Sequence, residues 1–169
     1  PMREHADRLN AARLQCDVMG SSTLIIARTD AEAATFLTST IDSRDHPFIL
    51  GATKQLERTF DEHVATEKAL GRCGDQAGAA WLESAQLKTF PELVRDALPD
   101  ADRAHWDLVT KDKNLQQMKA EASKILGFEP YFDWEAPRAR EGYYRVAPST
   151  EYATERAKAF APHSDLLWM

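Results

Sequence analysis

Leu9, Ala12, Cys16 and Met19 recur at the spacing of one helical face, which predicts a helix over residues 3–19 stopped by Gly20. The pattern then gives way to an unalternated apolar and β-branched run over residues 23–27. Such a strand is expected to be buried on both faces, as in a parallel sheet covered by helices. Thr29 and Glu32 have capping-box spacing, so residues 31–37 read as the start of another helix. Helix, strand, helix is the order of a repeated β/α unit.

Residues 40–53 form a polar loop holding Asp42, Arg44, Asp45 and His46 and closed by Pro47 and Gly51. Over residues 54–127 only helical spacing is found, and no strand is expected there. Leu56, Phe60 and Val64 make one stripe, and Ala80 and Trp81 sit in a short second helix. Pro91 suits the first turn of a third, with Leu93, Val94, Ala97 and Leu98 behind it. Leu115, Met118, Ala122 and Ile125 mark the last, stopped by Gly127. This stretch is either a helical insertion in an α/β fold or a separate small bundle. Residues 131–144 are too irregular for a helix and too polar for a buried strand. A helix follows over 149–160, with Ser149 as N-cap and Ala153, Ala157 and Phe160 inward. Asp165 precedes an apolar strand at 166–168 that reads as cut short, so the chain is expected to be part of something longer.

Composition narrows the function classes. The 169 residues are 43% hydrophobic and 28% charged, which is ordinary for a globular domain. The net charge of −6 supplies no basic face for phosphate, which argues against a nucleic-acid partner. No apolar run is long enough to span a membrane, and the first ten residues are too charged for a signal peptide. Cys16, on the apolar stripe, reads as a packed thiol, and Cys73 lies between Arg72 and Gly74 in a loop. The two make no disulfide framework.

Arg28 stands out chemically. It ends the apolar run 23–27, and an arginine at a strand's carboxyl end can grip a carboxylate with two parallel hydrogen bonds. The alternative is a structural ion pair, for instance with Asp30. Asp30 itself is expected to be an N-cap. Asp42, Asp45 and His46 superficially suggest a metal cluster, but turn hydrogen bonds and salt bridges are the default for such a loop. His5, His63, His105 and His163 have no partner pattern. Arg138, Arg140 and Glu141, bracketed by Pro137 and Gly142, form either a shaped contact loop or an ordinary charged one. Trp81, Trp106, Trp134 and Trp168 read as core or interface residues.

Several blocks together are recognisable. Glu4-His5, Arg8-Leu9, Asp17-Val18-Met19-Gly20 and the run from Ile25 through Arg28-Thr29-Asp30-Ala31-Glu32 to Thr35 resemble the isocitrate lyase family. So do Arg44-Asp45-His46-Pro47-Phe48, Asp133-Trp134-Glu135-Ala136-Pro137-Arg138, Arg140-Glu141-Gly142-Tyr143-Tyr144-Arg145, Ala159-Phe160-Ala161-Pro162 and Asp165-Leu166-Leu167-Trp168-Met169. The resemblance implies part of a TIM-type β/α barrel: two consecutive strands with helices, interrupted by an all-helical insertion. Its implied divisions are residues 1–53 in the barrel, 54–130 in the insertion and 131–169 returning to the barrel.

The implied chemistry is magnesium-dependent cleavage of isocitrate to glyoxylate and succinate, with Arg28 on a substrate carboxylate. The catalytic cysteine loop and the Mg²⁺ ligands are expected outside this chain, so it should hold no catalytic or metal-binding residue and show no lyase activity alone. A homotetramer is implied, in a glyoxysome, peroxisome or cytoplasm. A 2-methylisocitrate lyase, which would be mitochondrial, is the near alternative, and a non-catalytic helical interaction module is the distant one. The sequence departs from the family pattern at Lys54-Gln55 and at Val146-Ala147-Pro148, which bears on the insertion rather than on Arg28.

Overall fold

The computed structural model describes residues 1–169, and its first helix, α1 (Met2–Val18), buries Met2, Ala6 and Leu9. The spacing-based face is right only at Leu9. Ala12 and Met19 are exposed and Cys16 is half-buried, because packing covers only the first half of the helix. Gly20, at φ +64°, ends the helix in the left-handed conformation that glycine adopts without strain.

Strand β1 (Ile26–Arg28) pairs in parallel with β6 (Leu166–Trp168), Arg28 lying opposite Trp168. Successive side chains alternate across a strand. Ala27 therefore turns into the core, while Ile26 and Arg28 face outward and stay exposed. The expected burial on both faces is not found: the helices α1 and α7 (Thr150–Phe160) cover one side only.

The helix expected at 31–37 is absent. Ala31–Ala33 make a turn, closed by the Ala33 N–H donating to the Asp30 carbonyl at 2.9 Å. Phe36–Leu37 then form β2, antiparallel to β5 (Tyr144–Arg145). This pairing, together with the Val146 N–H donated to the Thr35 carbonyl, takes the backbone bonds that a helix would have used.

A 3₁₀ turn follows at Ser43–Phe48, capped by Asp42, and leads to β3 (Leu50–Gly51). The strand-free expectation for 54–127 fails at β4 (Lys88–Thr89), which pairs antiparallel with β3. Around β4 stand α2 (Phe60–Ala69), α3 (Gly74–Ala85), α4 (Phe90–Ala97), α5 (Asp100–Val109) and α6 (Leu115–Leu126). Complete capping boxes start α2 at Thr59–Glu62, α4 at Thr89–Glu92 and α6 at Asn114–Gln117. Each satisfies backbone N–H groups that a helix start leaves unpaired. Only α5 lacks a counterpart in the apolar pattern, since it buries a single residue, Trp106.

Three apolar clusters hold the chain. One joins α1, β1, β2 and α7 through Met2, Ala27, Leu37, Tyr152 and Phe160, with Ile49 from the end of the 3₁₀ turn. A second joins α4, α5 and α6 through Phe90, Val94, Trp106 and Met118, with Phe132 inserted from the following loop. The third packs Trp81 and Ala85 of α3 against Ala52. Trp134 touches both larger clusters.

Candidate active-site cleft

The pairing of β1 with β6 fixes where Arg28 goes. Its guanidinium lies 4.8 Å from the Trp168 ring centroid, and its Nε and Nη2 reach the Asp30 carboxylate at 3.2 and 3.0 Å. Asp30 is therefore no N-cap; it is the ion-pair partner that the alternative reading named. Arg28 and Asp30 side chains are 58% and 63% exposed. A pair this open contributes at most about 1 kcal/mol, so the fork is oriented by Asp30 and Trp168 without being committed to them.

Arg28, Thr29 and Asp30 lie on a cleft of about 380 Å³ between α1, β1 and α7, which His5 and Arg156 also line. That is a volume suited to a small organic acid. Thr29 is 7% exposed, and its hydroxyl has no hydrogen-bond partner. Nε2 of His5 is likewise buried and unpartnered, its ring edge-on to Phe160 at 4.5 Å. Burial, reinforced by Arg156 and Arg8, pushes the His5 imidazolium pKa down and favours the neutral ring.

Behind the cleft lies the hub of the molecule. Asp45 is fully buried, and its carboxylate accepts from the Met2 backbone N–H at 2.8 Å, the Tyr152 hydroxyl at 2.7 Å and Arg156 Nη1 at 3.3 Å. Burial next to this carboxylate drives the Tyr152 hydroxyl far above its usual range, so it remains a donor. Asp42 takes a forked contact from Arg44, with Nη2 to Oδ2 at 2.6 Å. His46 Nε2 meets the Thr40 carbonyl at 2.8 Å, and its Nδ1 accepts from the Leu115 N–H at 3.1 Å. The three residues that superficially resemble a metal cluster are thus each bound to different partners, and none is aimed at a common point.

The loop 131–144 is wired inside the chain. Arg138 stacks 4.6 Å from Tyr144 and donates to Gly142 and Glu135, both at 2.8 Å. Arg145 lies between Phe36 and Phe60 and donates to the Pro137 carbonyl at 2.8 Å. Tryptophans 81 and 106 are core residues, whereas Trp168 is 59% exposed and serves as the platform under Arg28. Cys16 and Cys73 are both free thiols. The sequence reading missed Tyr152 and Arg156. Their i, i+4 spacing on one face of α7 was the available signal.

Residues 1–169 match, over their whole length, the profile described as the Isocitrate lyase family. The chain belongs to the isocitrate lyase family. It is 42% identical over 183 residues to an isocitrate lyase of Oryza sativa subsp. japonica, an alignment covering 98% of this chain and 32% of the rice protein. It is 41% identical to a mitochondrial 2-methylisocitrate lyase of Hypocrea atroviridis (100% of this chain, 32% of that protein). An isocitrate lyase of Saccharomyces cerevisiae is 39% identical (100% of this chain, 33% of that protein). The chain thus spans about a third of the length of these family relatives. Within the family segment the fold is mixed α/β, and no helix is long and apolar enough to cross a membrane.

Proposed function

We propose that this chain is one portion of a carbon–carbon lyase that cleaves isocitrate to glyoxylate and succinate, with Arg28 holding a substrate carboxylate. The observation that supports it most directly is the pose of Arg28: at the carboxyl end of a parallel strand, on a cleft, its fork oriented by a weak pair. A substrate carboxylate replacing Asp30 would take two parallel charge-assisted hydrogen bonds. Trp168 would keep the guanidinium plane in place during that exchange.

Magnesium would polarise the departing glyoxylate oxygens when bound. No three His, Cys, Asp or Glu side chains of this chain converge on one point. On the family reading the metal ligands and the proton-transferring groups are assigned outside residues 1–169, and no step is derived through them. The same reading makes residues 54–130 a helical insertion, residues 1–53 and 131–169 barrel segments, and the whole enzyme a homotetramer.

The test is Arg28→Ala in the intact protein. A hydrogen-bonded charge contact is worth about 1.5–3 kcal/mol, so kcat/KM for isocitrate should fall roughly 10- to 100-fold while the thermal unfolding midpoint holds. Unchanged turnover would favour a non-catalytic module. The 41% identity to a 2-methylisocitrate lyase keeps that substrate as the second reading, with a mitochondrial rather than a glyoxysomal, peroxisomal or cytoplasmic setting. Turnover of the two substrates side by side decides between them.

A further inference from the structure

Neither β1 nor β6 carries its register in its own residues. Ile25, Ile26 and Ala27 are apolar without alternation, and so are Leu166, Leu167 and Trp168. Register is fixed by pattern where one face of a strand is apolar and the other polar, and a slip of one residue turns every side chain to the opposite face. The pair is short, running from Ile26 opposite Leu166 to Arg28 opposite Trp168. A slip in β1 would turn Arg28 away from the cleft.

Asp165 supplies what the pattern lacks. Its Oδ2 accepts the Ile25 N–H at 2.7 Å, and its own N–H donates to the Ile25 carbonyl at 2.9 Å. Both main-chain polar groups of Ile25 are thus held by a single residue. Arg13 braces this grip from α1. Its Nη1 donates to Asp165 Oδ2 at 3.3 Å and to the Thr23 carbonyl at 3.2 Å, while its Nε holds Asp17 at 3.1 Å. One turn earlier on the same helix, Asn10 Oδ1 meets His163 Nδ1 at 2.9 Å. α1 therefore grips the approach to β6 at His163 and Asp165 and the approach to β1 at Thr23. At the far end of the pair, beside Arg28, the Thr29 N–H donates to the Trp168 carbonyl at 3.0 Å.

We propose that Asp165, braced by Arg13, is a positioning residue for Arg28, pinning β1 to β6 in the register that sets the guanidinium on the cleft beside Trp168. The kinetic arm of its test rests on the lyase role proposed above for Arg28; the exchange arm does not. Asp165 is not among the residues lining the cleft, and it acts through the backbone of residues 25–28. The Arg13 and Asp165 side chains are 34% and 39% exposed, so their ion pair adds little to stability. What the contact contributes is placement. A misplacement of about 1 Å in a substrate-binding group can cost roughly 100-fold in rate.

The experiment compares Asp165→Ala, Arg28→Ala and the double variant in the intact protein, by steady-state kinetics with isocitrate and by amide exchange read on peptides. Asp165→Ala should lower kcat/KM roughly tenfold by itself, and by less than about twofold where Arg28 is already alanine, because the two residues act as a unit. Asp165→Asn, which keeps an oxygen for the Ile25 N–H, should recover most of that loss. The Thr29 amide should exchange roughly tenfold faster in Asp165→Ala, while the amides of α6 keep their rates.

An equal kinetic loss in both backgrounds makes Asp165 an ordinary structural residue and overturns the proposal. Asp165→Asn no better than Asp165→Ala, unchanged exchange at Thr29, or a quickening that α6 shares overturns it equally. Should Asp165→Ala not fold, Arg13→Gln removes the brace instead, with the same signs expected and the same results overturning the proposal. Arg28→Ala separates the two claims. Lost turnover together with the coupling to Asp165 supports both. Kept turnover sinks the lyase role of Arg28, and the pin then stands or falls on the exchange at Thr29.

Discussion

Asp45 is the residue on which most of the local order converges. Its buried carboxylate ties the start of α1, the 3₁₀ turn and α7 through three separate donors. Asp45→Ala strands the Arg156 guanidinium and a buried tyrosine hydroxyl together. Breaking a buried charge pair from one side costs about 3–5 kcal/mol. Urea unfolding should show that loss, whereas removing exposed pairs such as Arg28–Asp30 should cost no more than about 1 kcal/mol.

Asp42 sets a pH dependence. Burial alone would raise its pKa, but the side-chain and backbone hydrogen bonds of Arg44 outweigh it and hold the carboxyl below its usual value. A depressed folded-state pKa stabilises the protein above the unfolded value of about 3.9, and that contribution is lost as pH falls through the folded value. Asp42→Asn should therefore flatten the acid limb of a stability-against-pH curve and leave its shape near neutrality unaltered. The place of Arg28 at the end of β1 was legible at this scale because the apolar run stops there. The Asp45–Tyr152 contact was not, since its partners stand 107 positions apart.

At the scale of elements, helices with strong ends and the apolar strands β1 and β6 were readable, and the two-residue strands were not. α6 shows why: Leu115, Met118 and Ala122 supply the buried stripe, and Gly127 at φ +77° closes it. Gly127→Ala places a Cβ in the left-handed region and should cost about 1 kcal/mol, read as a lower thermal midpoint. β2 offered no comparable cue. Two residues cannot display a period, and Thr29 and Glu32 imitated a helix start that the pairing of β2 with β5 overrode. α5 was equally hidden, because one buried tryptophan makes no stripe. The run over 23–27 predicted a parallel strand, which the structure confines to Ile26–Arg28, and it predicted the burial wrongly, since burial depends on what covers the sheet and not on the strand's own residues.

Over the whole molecule, one aromatic side chain carries much of the union between the helical region and the rest. Phe132 packs edge-on to Phe90 at 5.2 Å and to Trp134 at 6.4 Å, while Trp134 meets His46 at 5.0 Å. Its ring fits because residue 51 is glycine: a Cβ there would lie 2.6 Å from it. Phe132→Ala should cost about 3–5 kcal/mol, and amide exchange should rise across both larger clusters rather than in one.

Ile25 and Asp165 are hydrogen-bonded neighbours although 140 positions separate them. Everything between is a detour that departs from and returns to a single doorway. Closing a flexible detour twice as long costs only about 0.6 kcal/mol more. Length can be added or trimmed at an exposed bend such as Arg72–Cys73, and Arg28 will still find Trp168 beside it.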